Sequence, residues 1–137
     1  EALRKAGIKD ALVSAGGDMY CLGNKSGSPW NVGIQHPRKP YEVIGYLKLA
    51  NKAVATSGDY EQYFILHNKR YSHIIDPKTG YPVDKKVISV TVMAPDCLTA
   101  DALATSIMVL GKEKGGQLAK KFKDVEIRIL TTDDIVQ

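Results

Sequence analysis

Alternation of apolar and polar positions predicts short β-strands along most of the chain. The strand-length runs are "ALVSA", "WNVGIQ", "YEVIGYLKLA", "KAVATS", "EQYFILH", "RYSHIID" and "KVISVTVMA". His67, Asn68 and Lys69 separate two of these runs by a turn of hairpin length. We expect the five runs between Glu42 and Ala94 to form one mainly antiparallel sheet.

The period of the apolar positions changes from two to that of a helix near Leu98. Leu103, Ile107 and Leu110 recur at helical spacing, and we expect all three to pack against the sheet. Asp96 and Gly111 are suited to cap the two ends of this helix. A second helix over about 112–122 and a last strand "VEIRIL" follow. Strands followed by paired helices predict an α+β fold with an antiparallel sheet.

Composition narrows the class of protein. The 137 residues are 44% hydrophobic and 25% charged, which is typical of one soluble globular domain. The net charge of +4 comes from scattered lysines, so no nucleic-acid partner is expected. Cys21 and Cys97 are too few for a metal-ligand pattern or a disulfide framework.

Two glycine-containing segments are candidates for phosphate binding. In "AGGDMY", Gly16 and Gly17 precede Asp18 at a strand end, where glycine lets backbone N–H groups approach a phosphate. Read alone, this segment is more often an ordinary turn. In "ATSGDYEQYF", Thr56, Ser57 and Gly58 either donate to a phosphate or ribose or cap a turn.

A carboxylate and a hydroxyl lie one turn apart on the predicted helix. In "TADALAT", Asp101 and Thr105 are at i and i+4, so their oxygens share one helix face. Such a pair suits Mg²⁺, which completes its shell with phosphate and water. The alternative is that Asp101 favours the helix dipole and Thr105 bonds back to a carbonyl.

The loop "YSHIIDPKTGYPVD" has more constraint than a surface turn needs. Together with "SAGGD", "WNVGIQHP", "VATSGDYEQYF" and "SVTVMAPDCLTADALATSIMVLG", it resembles the C-terminal half of the ApbE family, the FAD:protein FMN transferases. The resemblance covers about residues 11–111. The patterns H-x-x-D-P-x-T-G and T-A-D-A-x-x-T are its most specific parts.

The resemblance implies an ApbE-like, T-fold-like domain that requires Mg²⁺ and uses FAD as substrate. Such an enzyme transfers FMN to a Thr or Ser hydroxyl of an acceptor protein and releases AMP. By motif position, Asp101 and Thr105 are the metal ligands, and His73 and Asp101 are catalytic. His36 stands where the family commonly has an acid, and no role is assigned to it. The residues implied in binding the flavin nucleotide are Gly16, Gly17, Asp18, Ser57, Gly58, His73, Ile75 and Asp76.

The resemblance also implies that residues 1–137 are the C-terminal portion of a longer domain. The family's N-terminal half would supply further flavin and metal contacts, so we expect the 137 residues alone to bind FAD weakly and transfer no FMN. Export as a membrane-anchored lipoprotein on the outer face of the cytoplasmic membrane is the family's habit. Two alternatives share these residues: an Mg²⁺-dependent FAD diphosphatase and a non-catalytic flavin-binding domain.

Overall fold

The structure is a computed structural model that describes residues 1–84 and 86–135. Most of its helices and strands coincide with runs that the sequence predicts, but β2 is not among the predicted strands and α3 ends at Ala119 rather than near residue 122. Their bounds are α1 (Ala2–Lys5), β1 (Ala11–Ala15), β2 (Asp18–Leu22), β3 (Trp30–Gln35), β4 (Val43–Leu49), β5 (Lys52–Gly58), β6 (Tyr63–Leu66), β7 (Lys69–Ser72), β8 (Val87–Ala94), α2 (Cys97–Leu110), α3 (Lys112–Ala119) and β9 (Glu126–Thr131).

A five-stranded sheet in the order β1-β2-β5-β8-β9 forms the centre of the fold. Each neighbouring pair in this sheet is antiparallel. Helix α2 packs on strands β5 and β8, and α3 packs on α2. The predicted α+β class with a mainly antiparallel sheet is therefore confirmed.

The predicted membership of that sheet is wrong for three of the five runs between Glu42 and Ala94. Strand β4 pairs with β3, and β6 pairs with β7, in two separate two-stranded hairpins. The central sheet instead takes in β1, β2 and β9, which lie outside that interval. Alternation identifies a strand but carries no information about its partner, because every amphipathic strand has the same period.

Helix α2 begins and ends where the sequence predicts. Asp96 Oδ1 accepts a hydrogen bond from the Thr99 backbone N–H at 2.8 Å, and Gly111 follows the last turn. Leu103 and Ile107 are buried as expected, but Leu110 is 39% exposed, so its predicted packing is wrong. Gly111, four residues after Ile107, is buried at the position that continues this face. No helix in the described part of the chain is long and apolar enough to cross a membrane.

Strand β8 is buried along its whole length because both faces of the sheet are covered. On one face, Val90 and Val92 join a cluster with α2 residues such as Leu103 and Ile107. On the other face, Met93 joins a second cluster formed largely by the β3–β4 hairpin. This double covering explains why Ser89 and Thr91, the polar positions of the alternating run "KVISVTVMA", are buried as well as the apolar ones.

Candidate functional site

A cavity opens at the point where strands β2 and β5 separate. Strand β2 pairs with β5 only through Met19, Tyr20 and Cys21, while β5 continues along β8 as far as Gly58. The cavity at this fork has a volume of about 590 Å³. That volume lies within the range of about 300–1,000 Å³ that is usual for small-molecule sites.

Most of the residues that the sequence singles out meet in this cavity. They come from the β1–β2 turn, the end of β5, the loop after β7 and the middle of α2, which are far apart in sequence. The residues concerned are Gly16, Gly17, Asp18, Ser57, Gly58, His73, Asp101 and Thr105. Thr56 also lines it, where its hydroxyl lies 2.9 Å from that of Thr91.

Gly16 and Gly17 form the two-residue turn of the β1–β2 hairpin. Their φ angles are +61° and +99°, and Ala15 and Asp18 face each other directly on either side of them. Positive φ at both central residues is the geometry that favours glycine in tight hairpins. The turn also borders the cavity, so the glycines serve the hairpin and leave their backbone open to a ligand.

Helix α2 presents Asp101 and Thr105 to the cavity from one face. The Thr105 hydroxyl lies 3.0 Å from that of Ser57, so it contacts the sheet rather than bonding back along its own helix. Among residues 1–84 and 86–135, the Asp101 carboxylate has neither a hydrogen-bond partner nor an ion pair. Helix capping is done by Asp96, one turn earlier. Asp101 is therefore available to a ligand.

Asp18 extends the polar surface of α2 onto the sheet. Side chains alternate along β2, so Asp18 lies on the same face as Tyr20, which packs against the cluster that contains α2. Burial, and then the nearby Asp101 carboxylate, raise the pKa of Asp18. Asp18 and Asp101 thus lie close enough to repel each other when both are ionised.

These donors fit a hard cation. The groups gathered on this side of the cavity are two carboxylates and two hydroxyls, which suit Mg²⁺ better than a metal that prefers thiolate or imidazole. Within the described ranges, no group of three or more His, Cys, Asp or Glu side chains is arranged to hold a metal. The set therefore fits Mg²⁺ only if phosphate and water supply the remaining ligands.

The ring of His73 is held by the backbone of the turn that precedes β6. The Gln62 carbonyl oxygen accepts the His73 backbone N–H at 3.0 Å and lies 3.0 Å from the His73 Nδ1. Since a carbonyl oxygen can only accept, this second bond requires a proton on Nδ1. In the neutral ring, Nε2 then carries the free lone pair.

Ile75 and Asp76 do not line the cavity, and their assignment to flavin binding stays a prediction. Ile75 pairs with Pro82 across the loop and is 46% exposed. Asp76 holds the turn: its Oδ1 accepts the Lys78 N–H at 2.9 Å, and its carbonyl accepts the Gly80 N–H at 2.8 Å. This loop therefore keeps a fixed shape directly after His73.

Sequence reasoning missed two residues of the site, Tyr60 and Gln62. Both line the cavity, and burial raises the pKa of the Tyr60 phenol. Gln62 acts through its backbone carbonyl, which any residue would supply, so its side chain gives no signal. The sequence shows Tyr60 only as an aromatic residue next to a predicted strand, and its role in the site follows from its packing.

The fold and cavity define an antiparallel α+β domain with a candidate site for a phosphorylated ligand and a hard cation. The sequence model of a protein family, described as the ApbE family, matches residues 1–129 of this chain. An FAD:protein FMN transferase of Vibrio cholerae is 42% identical over 137 residues, which cover 96% of this chain and 40% of that relative. An FAD:protein FMN transferase of Escherichia coli K12 is 42% identical over 121 residues, which cover 87% of this chain and 34% of that relative.

Solved structures give the same result. The crystal structure of an ApbE protein from Thermotoga maritima aligns with a TM-score of 0.78 at 42% identity, covering 89% of this chain and 40% of that one. The flavin transferase ApbE of Vibrio cholerae aligns with a TM-score of 0.79 at 38% identity, covering 97% of this chain and 42% of that one. The chain belongs to the ApbE family. It spans about 40% of the length of the relatives it matches.

Proposed function

We propose that this chain is part of an Mg²⁺-dependent FAD:protein FMN transferase. The observation that supports the proposal is that one cavity joins an imidazole, His73, to the hard oxygen donors Asp101 and Thr105. Phosphoryl transfer needs these two kinds of group, one to take a proton and others to place charge at the diphosphate. The names of the relatives support the same reaction.

In the proposed reaction, a Thr or Ser hydroxyl of the acceptor protein attacks the FMN phosphorus of FAD. A new oxygen–phosphorus bond forms, and the bond from that phosphorus to the bridging oxygen breaks. The acceptor then carries FMN as a phosphoester, and AMP leaves with the bridging oxygen. The hydroxyl proton passes to Nε2 of His73 and from there to water.

The other residues of the cavity bind and orient. Asp101 and Thr105 would hold Mg²⁺, with Asp18 and Ser57 beside them. The bound ion would neutralise charge on the diphosphate oxygens. The backbone of Gly16 and Gly17 borders the cavity, where its N–H groups can donate to phosphate oxygens.

Product analysis tests this function. The complete reading frame that contains the 137 residues would be incubated with FAD, Mg²⁺ and a Thr-containing acceptor peptide. We expect AMP and flavinylated peptide in equal amounts. AMP with free FMN would indicate an FAD diphosphatase, and unchanged FAD would indicate a flavin-binding domain; either result contradicts the proposal.

A location outside the cytoplasm is also a proposal, and it rests on the family resemblance alone. We propose that the protein is exported and anchored by lipid to the outer face of the cytoplasmic membrane. Fractionation of cells that express the complete reading frame tests it. Recovery of the protein in the cytoplasmic fraction would contradict it.

A further inference from the structure

Residues 58–62, which are the last residue of β5 and the turn that leads to β6, hold the carbonyl group that binds His73. Gln62 lies just before β6, and its carbonyl oxygen receives both hydrogen bonds from His73. Any shift of this oxygen would weaken the hydrogen bond that requires the proton on Nδ1. The contacts that fix the turn therefore bear on the chemistry of the ring.

The first of these contacts is the packing of Tyr60 against Gly58. A Cβ atom at residue 58 would overlap Tyr60 Cε1 and lie 2.8 Å from Cζ. Gly58 is not among the glycines with positive φ, so its backbone conformation does not call for glycine. A side chain at this position would therefore have to displace the Tyr60 ring, which occupies the space that it would fill.

The second contact is an ion pair at Asp59. Arg38 donates from two guanidinium nitrogens to the two Asp59 carboxylate oxygens, at 2.6 and 2.7 Å. The Asp59 backbone N–H also donates to the Ile88 carbonyl at 2.9 Å. A bidentate, charge-assisted pair of this kind fixes orientation as well as distance. Asp59 is thus held by Arg38 and by the Ile88 carbonyl, and the Tyr60 ring packs on Gly58, before the chain reaches Gln62.

We propose that Tyr60 and the Arg38–Asp59 pair are positioning residues for His73. By holding the Gln62 carbonyl in place, they keep the proton on Nδ1 and leave Nε2 as the proton acceptor in the cavity. The consequence for turnover rests on the proposed function. The tautomer of His73 does not, so it can be measured whether or not FMN transfer is found.

The test is the tautomer of His73, read from ¹⁵N shifts of labelled histidine in the complete protein. The spectra would be recorded at alkaline pH, in the range where the ¹⁵N shifts no longer change with pH and the ring is neutral. The signal is identified by its loss in His73→Gln. We expect the parent protein to carry the proton on Nδ1.

Gly58→Ala should displace the Tyr60 ring and move the tautomer ratio toward Nε2-H by about fivefold, the factor that one lost hydrogen bond implies. Tyr60→Leu should do the same without adding an atom at residue 58, which keeps the test usable if Gly58→Ala does not fold. Tyr60→Phe keeps the ring and should retain the parent tautomer. Gly116→Ala is the matched control, because a Cβ there meets no atom within 4 Å.

The effect on the reaction should be confined to the proton-transfer step. In Tyr60→Leu, kcat for AMP release should fall in proportion to the fraction of His73 that carries the proton on Nδ1, by at most about fivefold, and the Mg²⁺ requirement should not change. An unchanged His73 tautomer in both Gly58→Ala and Tyr60→Leu would overturn the positioning role. A shifted tautomer without FMN transfer in the parent would leave that role standing and contradict only the proposed function.

Discussion

The two walls of the cavity are built in different ways. The helix wall carries Asp101 and Thr105 on α2, whose opposite face is buried through Leu103 and Ile107. The loop wall carries His73, which directly follows β7. Strand β7 pairs with β6, and all four side chains of β6 are exposed. Packing therefore fixes the helix wall, whereas backbone hydrogen bonds to a neighbouring turn fix the loop wall.

The difference shows two routes to a placed functional group. On α2, the spacing of i and i+4 sets the relative position of the two oxygens, and the core sets the position of the helix. His73 depends instead on the Gln62 carbonyl, which belongs to the turn before β6. The helix wall should therefore tolerate changes at its surface, whereas the loop wall should respond to changes in the turn at residues 58–62.

The largest expected effect comes from removing the imidazole of the loop wall. His73→Ala should lower AMP release by about 10²- to 10⁴-fold, the usual contribution of general acid–base catalysis, with the Mg²⁺ dependence unchanged. Initial rates against Mg²⁺ concentration provide the measurement. His67→Asn is the control: His67 lies in the β6–β7 turn with φ of +48°, which asparagine tolerates, and it does not line the cavity. A parent-like rate in His73→Ala would remove the loop wall from the chemistry.

Removing charge from the helix wall should have the next largest effect. Asp101→Asn keeps the size of the side chain and the helix, but it should lower AMP release by about 10²-fold or more. Unlike the loss in His73→Ala, this loss should shrink as Mg²⁺ is raised, because the cation site is weakened rather than abolished. An unchanged rate and Mg²⁺ curve would mean that Asp101 does not bind the metal.

The packing difference between the walls predicts a difference in stability. Ile107→Ala removes a fully buried side chain and should lower the free energy of unfolding by about 2–5 kcal/mol. Ile65→Ala makes the same chemical change on β6, where Ile65 is 61% exposed, and should change it by no more than about 0.5 kcal/mol. Urea titration of both variants measures the contrast. Equal losses would show that another surface covers β6 in solution.

The smallest expected effect concerns the hydroxyl of the helix wall. Thr105→Val keeps the shape of the side chain but removes the contact with the Ser57 hydroxyl at 3.0 Å. The loss of one such group should cost about 1 kcal/mol, or about fivefold in AMP release. Ser106→Val, one residue further along α2 and absent from the cavity lining, is the matched control. A loss as large as that of Asp101→Asn would make the hydroxyl an equal partner of the carboxylate.

The sequence by itself determined the features that depend on near neighbours in the chain. Helix α2 with its caps at Asp96 and Gly111, the glycine turn at Gly16 and Gly17, and the shared face of Asp101 and Thr105 all follow from local spacing. Backbone geometry repeats at fixed intervals, so such features can be read from the order of residues alone. The α+β class followed for the same reason.

Only the tertiary structure decided which distant segments meet. The central sheet does not include β3, β4, β6 and β7, although these strands have the same period as its members. The approach of Asp18 to Asp101, the bond from His73 to the Gln62 carbonyl, and the packing of Tyr60 on Gly58 leave no mark in local spacing. These contacts arise because burial brings strands together by shape and apolar area, which a one-dimensional pattern does not encode.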